Sequence, residues 1–139
     1  MASAPIYYPT VHNGFCALTT AETSHPSGTG APTNYGTLIT GTTGTSTKVE
    51  RIHVATNSVS TLIAATVVYL LYLPSGGSNY YEIDNYLLQP VTPSTTNPNN
   101  VQQRAYRDLI LAAGDSLIAT CTVTPASGSI VLAAFGGDA

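Results

Sequence analysis

Charge is what this chain most lacks. Asp, Glu, Lys and Arg make up 8% of its 139 residues, against roughly 25% in an ordinary soluble domain. A monomer in water usually coats itself with ions, so a chain coated with Thr, Ser, Asn, Tyr and Gly reads as one whose surface other protein covers. The basic residues, Lys48, Arg51, Arg104 and Arg107, fall in two separated pairs. That spacing excludes the basic stripe that neutralises nucleic-acid phosphates, so no direct nucleic-acid partner is expected. The longest apolar run, Leu62 to Leu73, is interrupted by Thr66 and is far shorter than the ~20 residues of a membrane helix, so no membrane partner is expected either. The opening residues hold no basic stretch followed by an apolar one, and no export signal is read there. Trp is absent, which removes the Cys, Trp, Cys signature of an immunoglobulin domain. Cysteine is scarce: Cys16 and Cys121 lie on separate segments, and in a chain made in a reducing cytoplasm they are expected as free, buried thiols.

What is present favours β structure. Hydrophobic residues make up 43% of the chain, with 9 Tyr and 12 Gly, and no long segment keeps apolar groups at helical spacing. Short runs of Val, Ile, Thr and Tyr alternate with Gly, Pro, Asn and Ser. They predict strands near Gly14 to Thr19, Tyr35 to Thr40, Thr47 to Thr56, Ile63 to Leu73, Tyr80 to Leu88, Val101 to Leu111, Ser116 to Thr124 and Ser129 to Phe135. About eight strands, with connections longer than hairpin turns, fit an all-β, single-domain, two-sheet β-sandwich of the jelly-roll type. The domain is expected over residues 11–139, behind an extended N-terminal arm at residues 1–10.

Several local patterns sharpen that picture. Leu117, Ala119, Cys121 and Val123 share the parity that should face a core. Val49 and Ile52 fall on opposite parity within Lys48 to Val54, so a bulge is expected between them. Val67 to Leu73 is apolar on both faces, as suits a central strand covered on each side, one of those sides being a candidate intersubunit face. Pro74 to Asn79, with adjacent Gly76 and Gly77, reads as a hairpin turn. The segments Ala21 to Asn34 and Gln89 to Asn100 read as contact loops. One helical turn near Val101 to Asp108 competes with the strand there, and Gly136-Gly137-Asp138 reads as a turn.

Chemistry is sparse. Cys16 has no basic neighbour to lower its pKa, and His12, His25 and His53 show no zinc spacing. Glu82 and Asp84 share one side of a strand, where a ladder against Arg104 and Arg107 would satisfy both pairs. No catalytic residue, metal site or cofactor is therefore expected. The candidate contacts are Tyr side chains, which offer large, fairly rigid area with a polar tip: Tyr80, Tyr81 and Tyr86, together with Ile6, Tyr7 and Tyr8 in the Pro-bracketed arm.

Four pieces carry a family resemblance: Lys48-Val49-Glu50-Arg51-Ile52-His53-Val54, Val67-Val68-Tyr69-Leu70-Leu71-Tyr72, Leu111-Ala112-Ala113-Gly114-Asp115-Ser116-Leu117, and Ala134-Phe135-Gly136-Gly137-Asp138. In that order, from Gly44 onward, the chain resembles the jelly-roll capsid decoration, or cement, proteins of tailed bacteriophages. The resemblance implies a virion structural protein made in the host bacterial cytoplasm. It would lie on the capsid exterior, partnered by the phage major capsid protein and by itself as a homodimer, with no catalytic motif. Two other classes fit the same residues. One is a phage tail receptor-binding or carbohydrate-binding module that uses the same Tyr and Asn chemistry. The other is a polysaccharide-cleaving enzyme with Glu82, Asp84 or Asp115 lining a cleft.

Overall fold

The computed structural model describes residues 10–23, 28–29, 32–57 and 61–139, with 28–29 described in backbone only. Its strands are β1 (Thr10–Leu18), β2 (Gly28–Thr29), β3 (Gly36–Thr40), β4 (Thr47–Thr56), β5 (Thr66–Leu73), β6 (Asn79–Leu88), β7 (Val101–Leu111), β8 (Ser116–Cys121) and β9 (Ile130–Asp138). Among the described residues there is no helix. Two antiparallel sheets form, ordered β1-β9-β4-β7 and β2-β6-β5-β8-β3, the two-residue β2 adding only a short edge to the second. The ladders nest: β5 pairs with β6, β4 with β7, β3 with β8 and β1 with β9. Such nesting is what one long hairpin gives when it is rolled into two facing sheets, the connectivity of a jelly roll.

The core follows from side-chain alternation. Val49, Ile52 and Val54 of β4 and Ile130, Leu132 and Ala134 of β9 face Val68 and Leu70 of β5, Tyr86 and Leu88 of β6, and Leu117, Ala119 and Cys121 of β8. The bulge lies where parity demands it. Between Val49 and Arg51, β4 carries Glu50 as an extra residue against β9, and so both Val49 and Ile52 turn inward. Both thiols are free and buried, and burial pushes them up to about 12 for Cys16 and about 11 for Cys121.

Two expectations need correction, and one alternative falls while the strand expected there stands. The segment Val101 to Asp108 is strand, because β7 pairs with β4 along its length, with extra residues between Ala105 and Leu109. β1 starts at Thr10, since pairing with β9 holds Thr10 to Asn13 extended although these residues show no apolar alternation. The Gly136-Gly137-Asp138 segment is the last part of β9, paired on both sides. Glycine is required at 136 by close approach: a Cβ there would lie 1.9 Å from the Lys48 carbonyl oxygen. The β5–β6 turn forms as read, with Gly76 at φ 72° and the Gly77 N–H donating to Pro74 O at 3.0 Å.

The second sheet is partly buried on its outer face as well, although Leu87 on β6 stays exposed. Outside the main core, Leu71, Tyr80 and Ile118 make a second buried cluster with Tyr69 and Leu73 packed against it. The connection after β1 is anchored on the strands that flank β5. Glu22 N–H donates to Cys121 O on β8 at 2.8 Å, Asn34 N–H donates to the Glu22 carboxylate at 2.7 Å, and β2 pairs with Asn79 and Tyr80 on β6. The loop from Gln89 to Asn100 is closed at its base, where Asn100 Nδ2 donates to Gln89 O at 2.7 Å, and it is bridged to Leu62 through Val91.

Candidate functional site

The first sheet differs from the second: among the described residues, no segment lies across its outer face. The registers of β1, β9, β4 and β7 place the outward residues in rows: Val11, Gly137, Lys48, Ile110; then Asn13, Phe135, Arg51, Ala105; then Phe15, Ala133, His53, Gln103; then Ala17, Val131, Ala55, Val101. Most of these are apolar. Val11 is 74% exposed, Phe15 66% and Val101 66%, with Ile110 also exposed. The chain contains 2 Phe, and both Phe15 and Phe135 stand on this surface.

Phe135 organises the middle of the face. The Arg51 guanidinium lies 5.3 Å over its ring, a cation–π contact, and the His53 ring meets it edge-on at 5.2 Å. Beside it is a shallow hollow of about 320 Å³ lined by Glu50, Arg51, Ala105 and Phe135. Lys48 and Glu50 are 3.9 Å apart at one rim. Sequence parity contained this surface: with Cys16 and Leu18 inward, Phe15 must point out, and with Leu132 and Ala134 inward, so must Phe135.

The Tyr contacts predicted from sequence divide differently. Ile6, Tyr7 and Tyr8 lie outside the described residues. Tyr81 is 50% exposed, whereas Tyr80 is buried with Leu71 and Ile118. Tyr86 is corrected from contact to core, because it shares the inward parity of Leu88 and retains no exposed surface. Its hydroxyl bonds the Tyr106 hydroxyl, and the Arg104 guanidinium sits 4.3 Å over its ring.

That arrangement forms a polar seam between β6 and β7, where the edges of the two sheets meet. Arg104 pairs with Asp84 and donates to Asn85 O at 2.8 Å, while the Tyr106 hydroxyl donates to Asp84 at 2.6 Å. Burial pushes the Asp84 carboxyl up, but the Tyr106 hydroxyl and Arg104 outweigh it and hold the group below its usual range. The Tyr106 phenol is driven well above its usual range by burial and by its bond to Asp84. The proposed ladder is thus half formed. Arg107 falls among the extra residues of β7, and Glu82 accepts from Asn85 Nδ2 at 3.0 Å.

The other acidic groups are tied into turns. Asp115 accepts from the Tyr72 hydroxyl, Ser75 N–H at 2.8 Å and Ala112 N–H at 3.1 Å; these bonds, Tyr72 first, lower its pKa. Asp138 accepts from Thr47 at 2.6 Å and Thr42 at 2.7 Å, and lies 2.8 Å from His12 Nδ1. Those bonds, Thr47 foremost, draw its carboxyl down to about 2. A nucleophilic triad would need the hydroxyl on the far imidazole nitrogen, whereas here both Thr hydroxyls bond the carboxylate and crowd the same Nδ1. Among the described residues no three His, Cys, Asp or Glu could hold a metal ion.

No family model and no curated protein matches the sequence. Among solved structures the chain is similar to Eiger TNF from S. frugiperda, over 90% of each chain, at 13% identity and a TM-score of 0.44. A likeness that loose carries no argument about what the chain does.

Proposed function

We propose that this chain is a capsid decoration protein of a tailed phage, binding the outside of the shell and clamping neighbouring major capsid subunits so that the DNA-filled head resists bursting. The observation that carries the reading is the bare outer face of the first sheet, which presents both Phe of an ion-poor chain to contact. Contiguous exposed apolar surface of this kind marks interaction sites. The charges Lys48, Glu50 and Arg51 sit on β4, and the apolar rows beside them need little charge desolvation on contact. The sequence resemblance supplies the shell as partner. A rigid β domain laid across subunit junctions makes contacts that exist only while those junctions are intact, so its binding energy stabilises the assembled state.

Cosedimentation of the purified protein with expanded, DNA-free capsids tests this directly. Binding that persists at high salt and raises the temperature of capsid disruption is the expected result. Defined hits on a glycan array with no affinity for shells would replace this reading with the receptor-binding one.

A further inference from the structure

We infer that the long-loop end of the sandwich binds a neutral polysaccharide, a hydroxyl-rich chain without charged groups. This site goes beyond the decoration reading and does not depend on it.

The connections fall into two groups. Residues 41–46, 74–78 and 112–115 are short turns at one end of the strands, whereas residues 19–35 (which include β2), 57–65, 89–100 and 122–129 join the two sheets at the other end. Long connections held on a rigid β scaffold are where binding residues concentrate. Here the four are laced together. The Ala21 N–H donates to Thr124 Oγ1 at 2.9 Å, the Ala126 N–H donates to Thr61 O at 2.8 Å, and Leu62 and Val91 exchange backbone bonds of 2.9 Å each way. A surface braced in this way loses little freedom when a ligand lands on it. It borders the outer face of the first sheet only at the last row, through Ala17.

The chemistry of this end selects the ligand. Across the four connections the sequence holds a single Asp, Glu, Lys or Arg, Glu22, and it is buried with its carboxylate accepting from the Asn34 N–H. No exposed charge is there to pair with a sulfate, phosphate or uronate. The large apolar side chains exposed among its described residues are Tyr35 and Ile63, too few for the core of a protein contact. Hydroxyls and carboxamides dominate instead, and both donate and accept, as sugar hydroxyls do.

Two hollows open on this surface. One of about 160 Å³ is lined by Thr19, Thr20, Thr33, Asn34 and Tyr35, with Ala17 and Leu18 behind them. The other, of about 230 Å³, is lined by Pro93, Ser94, Asn97, Pro98 and Asn99. Each sets an apolar ring beside polar groups, the pairing that suits the C–H face and hydroxyl edge of a pyranose. Asn99 carries the sharper signal, because its Oδ1 is buried without a hydrogen-bond partner. Turning that carboxamide into the hollow breaks no bond to its oxygen, and a ligand hydroxyl would supply one. Two hollows on one braced surface fit a polymer with repeated units better than a single sugar.

Glycan-array binding by the full chain tests the inference, with neutral glucans, mannans and galactans set beside sialylated, uronic-acid and sulfated glycans. Hits should fall among the neutral polymers, and added salt should leave them unchanged. In titrations with the best neutral oligosaccharide, affinity should rise as the oligosaccharide lengthens. Asn99→Leu and Tyr35→Ala should each weaken it about tenfold, the loss of one hydrogen bond or one ring contact. Asn99→Leu should do so without lowering thermal stability, since its Oδ1 makes no bond in the free chain. Tyr81→Glu, at an exposed position near the other end of β6, should change nothing. An array without neutral hits, hits confined to charged glycans, or affinity that survives both loop variants but not Tyr81→Glu would each overturn the inference. Shell binding is scored separately. A chain that binds neutral glycans and no capsids keeps this site and sinks the decoration reading, while one that binds capsids and no glycan does the reverse.

Discussion

The two outer faces of the sandwich are made of similar residues and are covered to different degrees. On the second sheet, Leu71 and Ile118 are 0% and 1% exposed; on the first, Phe15 and Val11 stand in the open. Hydrophobic content therefore does not tell the faces apart. What differs is the surrounding chain: the connection after β1 is fastened to β8 and to β6, on either side of the Leu71 cluster, and no described segment is fastened over the first sheet. An apolar sheet face costs solvation unless something covers it. One face is partly covered within the described chain, and the other is the face on which the proposed contact rests.

The largest effect should come from the covered face. Leu71→Ala removes a fully buried side chain and should cost about 2–5 kcal/mol of stability, the range for buried Leu truncations. Chemical denaturation followed by the Tyr signal measures it. A loss under ~1 kcal/mol would mean that the face is not packed, and the contrast between the two sheets would fall.

Much of this contrast could be read from residues, though not all was. β4 and β7 lie where alternation placed them, and the parity conflict of Val49 and Ile52 located the bulge at Glu50. The two-sided apolar pattern of Val67 to Leu73 was legible as burial on both faces, although which chain supplies the cover is a matter of tertiary path. Tyr86 misled because Tyr suits core and interface equally; only its parity with Leu88 separates them. Gly136 and Gly137 look like a turn because sequence carries no record of a carbonyl that approaches too closely for any Cβ. The open face was legible in principle, since both Phe stand on the wrong parity for a core, but that requires knowing which strands share a sheet.

The seam between the faces should show the next largest effect. Tyr106→Phe removes the hydroxyl that donates to Asp84 and bonds Tyr86, at an expected cost of about 1–3 kcal/mol for a lost hydrogen bond to a charged group. It should leave oligomeric state unchanged, because the seam lies on neither face. A change in mass with no change in stability would instead place the seam in an interface.

Acid probes the first sheet at its end. Because the Asp138 carboxyl is drawn from 3.8 to about 2 in the folded chain, its contribution is fully present above the unfolded value and is lost as pH falls from there through about 2. The bonds from Thr47, Thr42 and His12 join β1, β4 and β9 at that end, so acid should loosen the sheet that carries the bare face. Asp138→Asn should flatten this part of an acid-unfolding curve while leaving the parts due to Asp84 and Asp115. An unchanged curve would show that the latch does not hold the sheet together.

The smallest effect is the most telling. Phe15→Thr keeps a strand-favouring residue on β1 and removes a ring that is 66% exposed, so the stability of the free chain should change by no more than about 0.5 kcal/mol. With expanded capsids added, the wild type should gain stability that the variant does not, because a partner that binds the folded state stabilises it by mass action. The covered face predicts the opposite pattern, with Leu71→Ala costing the same with and without capsids. A Phe15→Thr penalty that is large in the free chain would mean that Phe15 is buried by its own chain. The two faces would then be alike, and the bare sheet would have nothing left to offer a partner.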